Sequence, residues 1–203
     1  MLARAAGHGR FADDRGQTVG IYIVAMSALF FLAFAYFAVG QAAVTRSSAQ
    51  TAADAAALAA ARQDRDAVRQ AFLDALHHGD LTALGHLLSV LEPDDGLPCT
   101  AARTYAEDNG AGVGDCRRTQ NDPPGYTVWV HTNGTVGSSV VDGTENIHAR
   151  ATATAVVEPR CVLGDKSGHA IGFTCAGRLL TVDPTAASFT LNLSDFYSVH
   201  LTN

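Results

Sequence analysis

Four cysteines and eight histidines are the side chains of this 203-residue chain with the most specific chemistry. Cys99, Cys116, Cys161 and Cys175 can form disulfides or hold zinc. Zinc prefers short Cys-x-x-Cys pairs, and none is present. Two disulfides are the expectation. Four cysteines allow three pairings, and the sequence alone does not choose among them. Spacing favours the local pairs Cys99–Cys116 and Cys161–Cys175. Each would close a short loop in a turn-rich segment, and the second encloses a Gly-containing, hairpin-like connection from Val162 to Thr174. Loops of this size imply about 3 kcal/mol each in the chain-entropy model.

The histidines read as structural. His77-His78-Gly79 has the composition of a helix end, with imidazoles in the last turn and Gly at the stop. His131 and His148 point outward on alternating segments and are candidates for proximity, without the carboxylate or cysteine spacing of a metal site. Glu92-Pro-Asp-Asp-Gly lacks the calcium-loop pattern. Gly110-Ala-Gly-Val-Gly lacks the flanking strand and helix of a dinucleotide loop. Gly164-Asp-Lys-Ser-Gly lacks the upstream glycine of a P-loop, and there is no Gly-x-Ser-x-Gly. No catalytic, cofactor-binding or metal-ligating residue is assigned, no cofactor is expected, and the chain does not read as an enzyme. The net charge of -6 gives no basic excess to neutralise phosphates, so nucleic acid is not an expected partner.

The elements that position these residues begin with a membrane-length helix. Gly16 to Thr45 carries no charge, and Val19 to Val39 is almost entirely apolar. A hydrocarbon core about 30 Å thick takes roughly 20 such residues as helix. The run is longer than the apolar region of a cleaved signal, so it reads as a retained single span with membrane lipid around it. Tyr22 and Tyr36 stand near its two ends. Arg4, Arg10 and Arg15 precede it and Arg46 is the one near cation after it, which directs residues 1–15 to the cytoplasm and the rest outside. All four cysteines then fall on the outer side, where disulfides persist.

Past the span the helical pattern continues. Ala49 to Ala61 is rich in the best helix former, and Val68, Phe72, Leu73 and Leu76 follow at helical spacing. One helix is predicted from about Thr18 to His78, roughly 90 Å at 1.5 Å per residue. Asp80 is placed to cap a second helix to about Leu91, with Leu84, Leu87, Leu88 and Leu91 on one face. Residues 92–125 read as turn-rich. Alternation then marks strands over 126–132 and 147–157, and residues 178–183 and 188–202 are also strand-like, giving four or five antiparallel strands. The fold class is α+β. The expected divisions are a leader at 1–15, a transmembrane helix at 16–45, an Ala-rich extension with a second helix at 46–91, and a β-rich head at 92–203.

Arg15-Gly-Gln, followed by Gln41-Ala-Ala-Val-Thr-Arg-Ser-Ser-Ala-Gln-Thr-Ala-Ala-Asp-Ala-Ala-Ala-Leu-Ala-Ala-Ala61, resembles the N-terminal region of TadE/TadG-like proteins of Flp (Tad) pilus assembly. In that family a membrane helix after a short leader runs into an Ala-Ala-Asp-Ala-Ala-Ala-Leu-Ala type sequence, here Ala52 to Ala60. Processed pseudopilins of this system carry a glutamate five residues past a cleavage point. Counting from Gly16 or Gly20 reaches Ile21 or Ala25, so the chain is more similar to the membrane-anchored TadG side. The resemblance implies a structural, pseudopilin-like membrane component with other pilus proteins or pilin-like helices as partners. Small residues Ala33, Gly40, Ala42 and Ala43 are the candidates for close helix packing. The Ala-rich stretch is expected to lift the head off the membrane. The alternative is a membrane-anchored outer module for a cell-wall polymer or small ligand, motivated by a head with 13 acids and 7 cations from residue 92 on.

Overall fold

A computed structural model describes residues 17–89, 96–119, 122–135, 137 and 146–202. The 1–15 leader, Leu91 and the 92–95 turn lie outside the described residues. Helix α1 covers Gln17–Ala67 and α2 covers Arg69–His78. Only Val68 interrupts them, and its carbonyl still accepts the Phe72 N–H at 2.9 Å. The predicted helix from Thr18 to His78 is therefore present as one rod of 61 residues. It stops where expected. Gly79 adopts φ +62°, a conformation costly for any residue with a Cβ, and its N–H meets the last carbonyls of the helix. Asp80 then caps α3, Leu81–Ser89, its carboxylate accepting the N–H groups of Thr82 and Ala83 at 3.0 Å.

Residues 92–125 are not simply turns. They contain α4, Leu97–Asp108, and strand β1, Ala111–Arg118. Pro98 suits the first turn of α4, where its missing N–H costs nothing, and Ala102 and Ala106 bury one face. Strands β2 (Gly125–Thr135), β3 (His148–Pro159) and β7 (Tyr197–Thr202) join β1 in an antiparallel sheet ordered β1-β2-β3-β7. Strands β4 (Cys161–Ser167), β5 (Ala170–Cys175) and β6 (Arg178–Val182) form a separate three-stranded meander. The described residues thus carry seven strands, against four or five expected. The expected strand over 188–202 is one only from Tyr197. Before it, Asn192 caps a short 3-10 turn, Leu193–Asp195, which breaks the ladder.

The Ala-rich stretch is the main departure. It does not stand off as an extension: Ala49, Ala52, Ala53, Ala56, Ala57, Ala60 and Ala61 are all fully buried. At about 100° per residue these positions cover about half of the helix circumference. One flank meets the β2–β3 face and the other meets α4. Alanine permits this because a methyl group lets backbones approach closely from two sides at once. The core consequently draws on both sides of the 91/92 boundary. Asp64 is embedded in the same seam at 1% exposure. Its carboxylate accepts the Tyr126 hydroxyl at 3.3 Å and lies 4.0 Å from the Arg118 guanidinium, tying α1 to β2 and β1. A second core centre surrounds Phe72, whose ring lies 4.8 Å from Phe196 and 6.4 Å from both Phe173 and Tyr197. It joins α2 to both sheets.

Candidate functional site

Two regions of α1 stand apart from the buried seam for different physical reasons. The first is the apolar half. Its large side chains are bare on every side, from Val19 and Ile21 through Phe31 at 71% exposure to Val44. No described head residue covers the most apolar window. A helix apolar all round needs an apolar surrounding, and a bilayer is one in which its backbone polar groups are already satisfied internally. Ala33, Gly40, Ala42 and Ala43 lie on this exposed part, and a Cβ added at Gly40 would meet nothing within 4 Å. They do not share one face. Helical geometry puts Ala33, Gly40 and Ala43 within about 80° of arc and Ala42 on the opposite side.

The second region is where the head meets the helix, and it starts close to the end of the apolar run. Gly137, between β2 and β3, sits against Gln41: a Cβ there would lie 3.6 Å from the Gln41 side-chain oxygen. An open groove of about 1120 Å³ begins beside it. Ala43, Arg46, Ser47 and Gln50 of α1 form one wall, and Trp129, His131, His148 and Arg150 contribute to the other. Strand alternation brings these residues together. Tyr126, Val128 and Val130 point into the core, so Trp129 and His131 point out. The register then sets His131 opposite Arg150 and Trp129 opposite Thr152. β7 pairs with β3 only from Thr154 onward, which leaves this end of the sheet open toward α1.

Local contacts fix several of these groups. The His148 Nδ1–H donates to the Thr132 carbonyl at 2.7 Å, leaving Nε2 as its basic nitrogen. The Arg117 guanidinium lies 5.7 Å from the Trp129 ring centroid and 2.6 Å from Asp115. The described lining holds Arg46, Arg150 and two imidazoles and no carboxylate. The groove is therefore cationic within an acidic head. Sequence reading anticipated the two histidines near each other and missed Arg46, Trp129 and Arg150. Arg46 stood out only as a flanking charge, and the outward alternation of β2 and β3 was the signal for the others. No group of three or more His, Cys, Asp or Glu with metal-site geometry occurs among the described residues.

The cysteines lie elsewhere, on the head. Cys99 of α4 is bonded to Cys116 of β1, and Cys161 of β4 to Cys175 of β5, which also face each other in strand register. These are the local pairs that spacing favoured. The first holds α4 against the edge strand, and the second closes the β4–β5 hairpin. Tyr197 braces the helical side by donating its hydroxyl to the Leu87 carbonyl at 2.8 Å, and burial pushes its phenol well above the ordinary range.

No curated protein and no solved structure matches this chain. Residues 16–63, which include the bare half of α1 and nearly all of its buried alanine seam, match the family model described as Putative Flp pilus-assembly TadE/G-like.

Proposed function

We propose that the chain is a membrane-anchored structural component of a Tad/Flp-type pilus assembly, TadG-like and pseudopilin-like in organisation. The observation that carries this reading is the coincidence of the matched segment, residues 16–63, with a single helix that changes from bare and apolar to buried in the head. The role is structural rather than catalytic. Residues 16–45 serve as the span, with 1–15 on the cytoplasmic side and the head outside. Two cysteine pairs at bonding distance in the head are consistent with an oxidising outer compartment. Ala33, Gly40 and Ala43 give the span a face for close packing against pilin-like helices of other assembly proteins. The acidic balance that motivated a wall-ligand module is not the character of the groove, whose described lining is cationic.

Deletion of the gene tests the proposal. Surface piliation and the levels of the other pilus proteins are expected to fall, and to recover with the intact gene. Unchanged piliation and unchanged partner levels would refute the assignment.

A further inference from the structure

We propose that the groove between α1 and the open end of the β2–β3 ladder binds the phosphate headgroups of anionic phospholipids, in the leaflet from which α1 emerges. The inference rests on the reading of α1 as a span and adds a specific lipid site to it. Height is the first argument. Val39 closes the apolar run, and Ala43 and Arg46 lie about 6 and 10 Å further along the helix axis. The difference between a core of about 30 Å and a bilayer of about 40–45 Å leaves headgroup layers roughly 5–8 Å deep. The near end of the groove, at Ala43, therefore opens in the headgroup layer, and its far end at Gln50 lies about 16 Å past Val39. Arg46 stands at the outer boundary of that layer, within reach of phosphate by the length of its own side chain.

Charge is the second argument. Arg46 and Arg150 line the groove with His131 and His148, and no described lining residue is acidic. The head outside it carries the acidic excess, so an anion meets attraction here and repulsion over much of the remaining surface. Guanidinium groups suit phosphate because their planar donor sets bind its oxygens two at a time. Trp129 is the third argument. It is large, 38% exposed and lines the same groove as the two arginines, where an indole adds apolar contact and an N–H donor to a bound lipid. Gly137 beside Gln41 puts the far end of β2 close to the end of the apolar run.

Trp129 is also the one tryptophan of the chain, so its emission reports on the groove alone. The full chain is reconstituted in phosphatidylcholine vesicles with increasing phosphatidylglycerol, and Trp129 emission and acrylamide quenching are measured. A blue shift and protection that saturate with phosphatidylglycerol are expected. Arg46→Gln and Arg150→Gln should each raise the phosphatidylglycerol content required roughly fivefold. Lys166→Gln, on the separate meander, should leave it unchanged. Both arginines are exposed, and circular dichroism checks that each variant keeps its helix. The wild-type lipid comparison stands whatever the variants do. Identical emission in the two lipids overturns the proposal, as does a response retained in both glutamine variants. A shift reproduced by inorganic phosphate over pure phosphatidylcholine overturns the lipid source in favour of a free-anion site. A chain that alkaline carbonate strips from the vesicles defeats the span itself, a failure distinct from insertion without lipid preference.

Discussion

Phe72 occupies the point where α2, the β4–β6 meander and the 3-10 turn converge, with no exposed surface. Its removal leaves a cavity that three elements must collapse into together. Phe72→Ala is expected to lower stability by about 3–5 kcal/mol, read from the denaturant midpoint in detergent with Trp129 fluorescence as probe. Asp183 makes a different prediction. The Thr185 hydroxyl and N–H both donate to its carboxylate, at 2.7 and 2.9 Å, and hold its pKa below the ordinary aspartate value. A depressed folded pKa contributes stability that is complete above the unfolded value near 3.9 and is lost as pH falls through the folded value. Carbon-detected NMR titration should find Asp183 among the last aspartates to protonate. Thr185→Ala, which removes the stronger donor, should raise its midpoint. Spacing favoured the local cysteine pairs because each closes a short loop, of 17 and 14 residues' separation, whereas the Asp64–Tyr126–Arg118 contact joins residues far apart and has no local pattern to betray it.

Elements were legible where one signal sufficed. Length and apolarity marked the membrane-length helix, the His-His-Gly79 stop marked its end, and Asp80 marked the next start. Helix α4 and strand β1 were not legible, because Gly, Pro and Asp around them carry turn signals. At Gly112 a Cβ would approach the exposed His131 ring at 3.0 Å, so that ring would have to shift slightly. The β5–β6 hairpin shows the converse, a turn whose sequence is not optimal. Ala176 and Gly177 both take positive φ, +48° and +78°, as a two-residue hairpin of the primed type requires. Glycine meets that requirement at no steric cost, and alanine does not. Ala176→Gly is therefore expected to stabilise the head by about 0.5 kcal/mol, the relief of the Cβ contact outweighing the greater freedom of the unfolded chain. A small upward shift of the same denaturant midpoint would bear this out, and a downward shift would refute it.

At the scale of the whole molecule, the Ala-rich seam decides the relation of head to membrane. Its composition reads equally as an isolated helix or as a buried one, since alanine carries high helix propensity and little apolar surface. Only the packing against β2, β3 and α4 distinguishes them. Ala56 is fully buried there, so Ala56→Leu forces backbones apart and is expected to cost about 1–3 kcal/mol. Limited proteolysis should release the variant head faster than the wild type, while alkaline carbonate leaves the anchor in the membrane in both. Because α1 runs from the apolar span into the centre of the head with no break before Val68, the protein is mechanically a lever. A tilt of about 20°, ordinary for a span, swings the Ala60 level sideways by about 16 Å relative to the bilayer centre. Neighbouring helices that set the tilt of the span thereby aim the head, and a sideways load on the head is delivered as torque to the span.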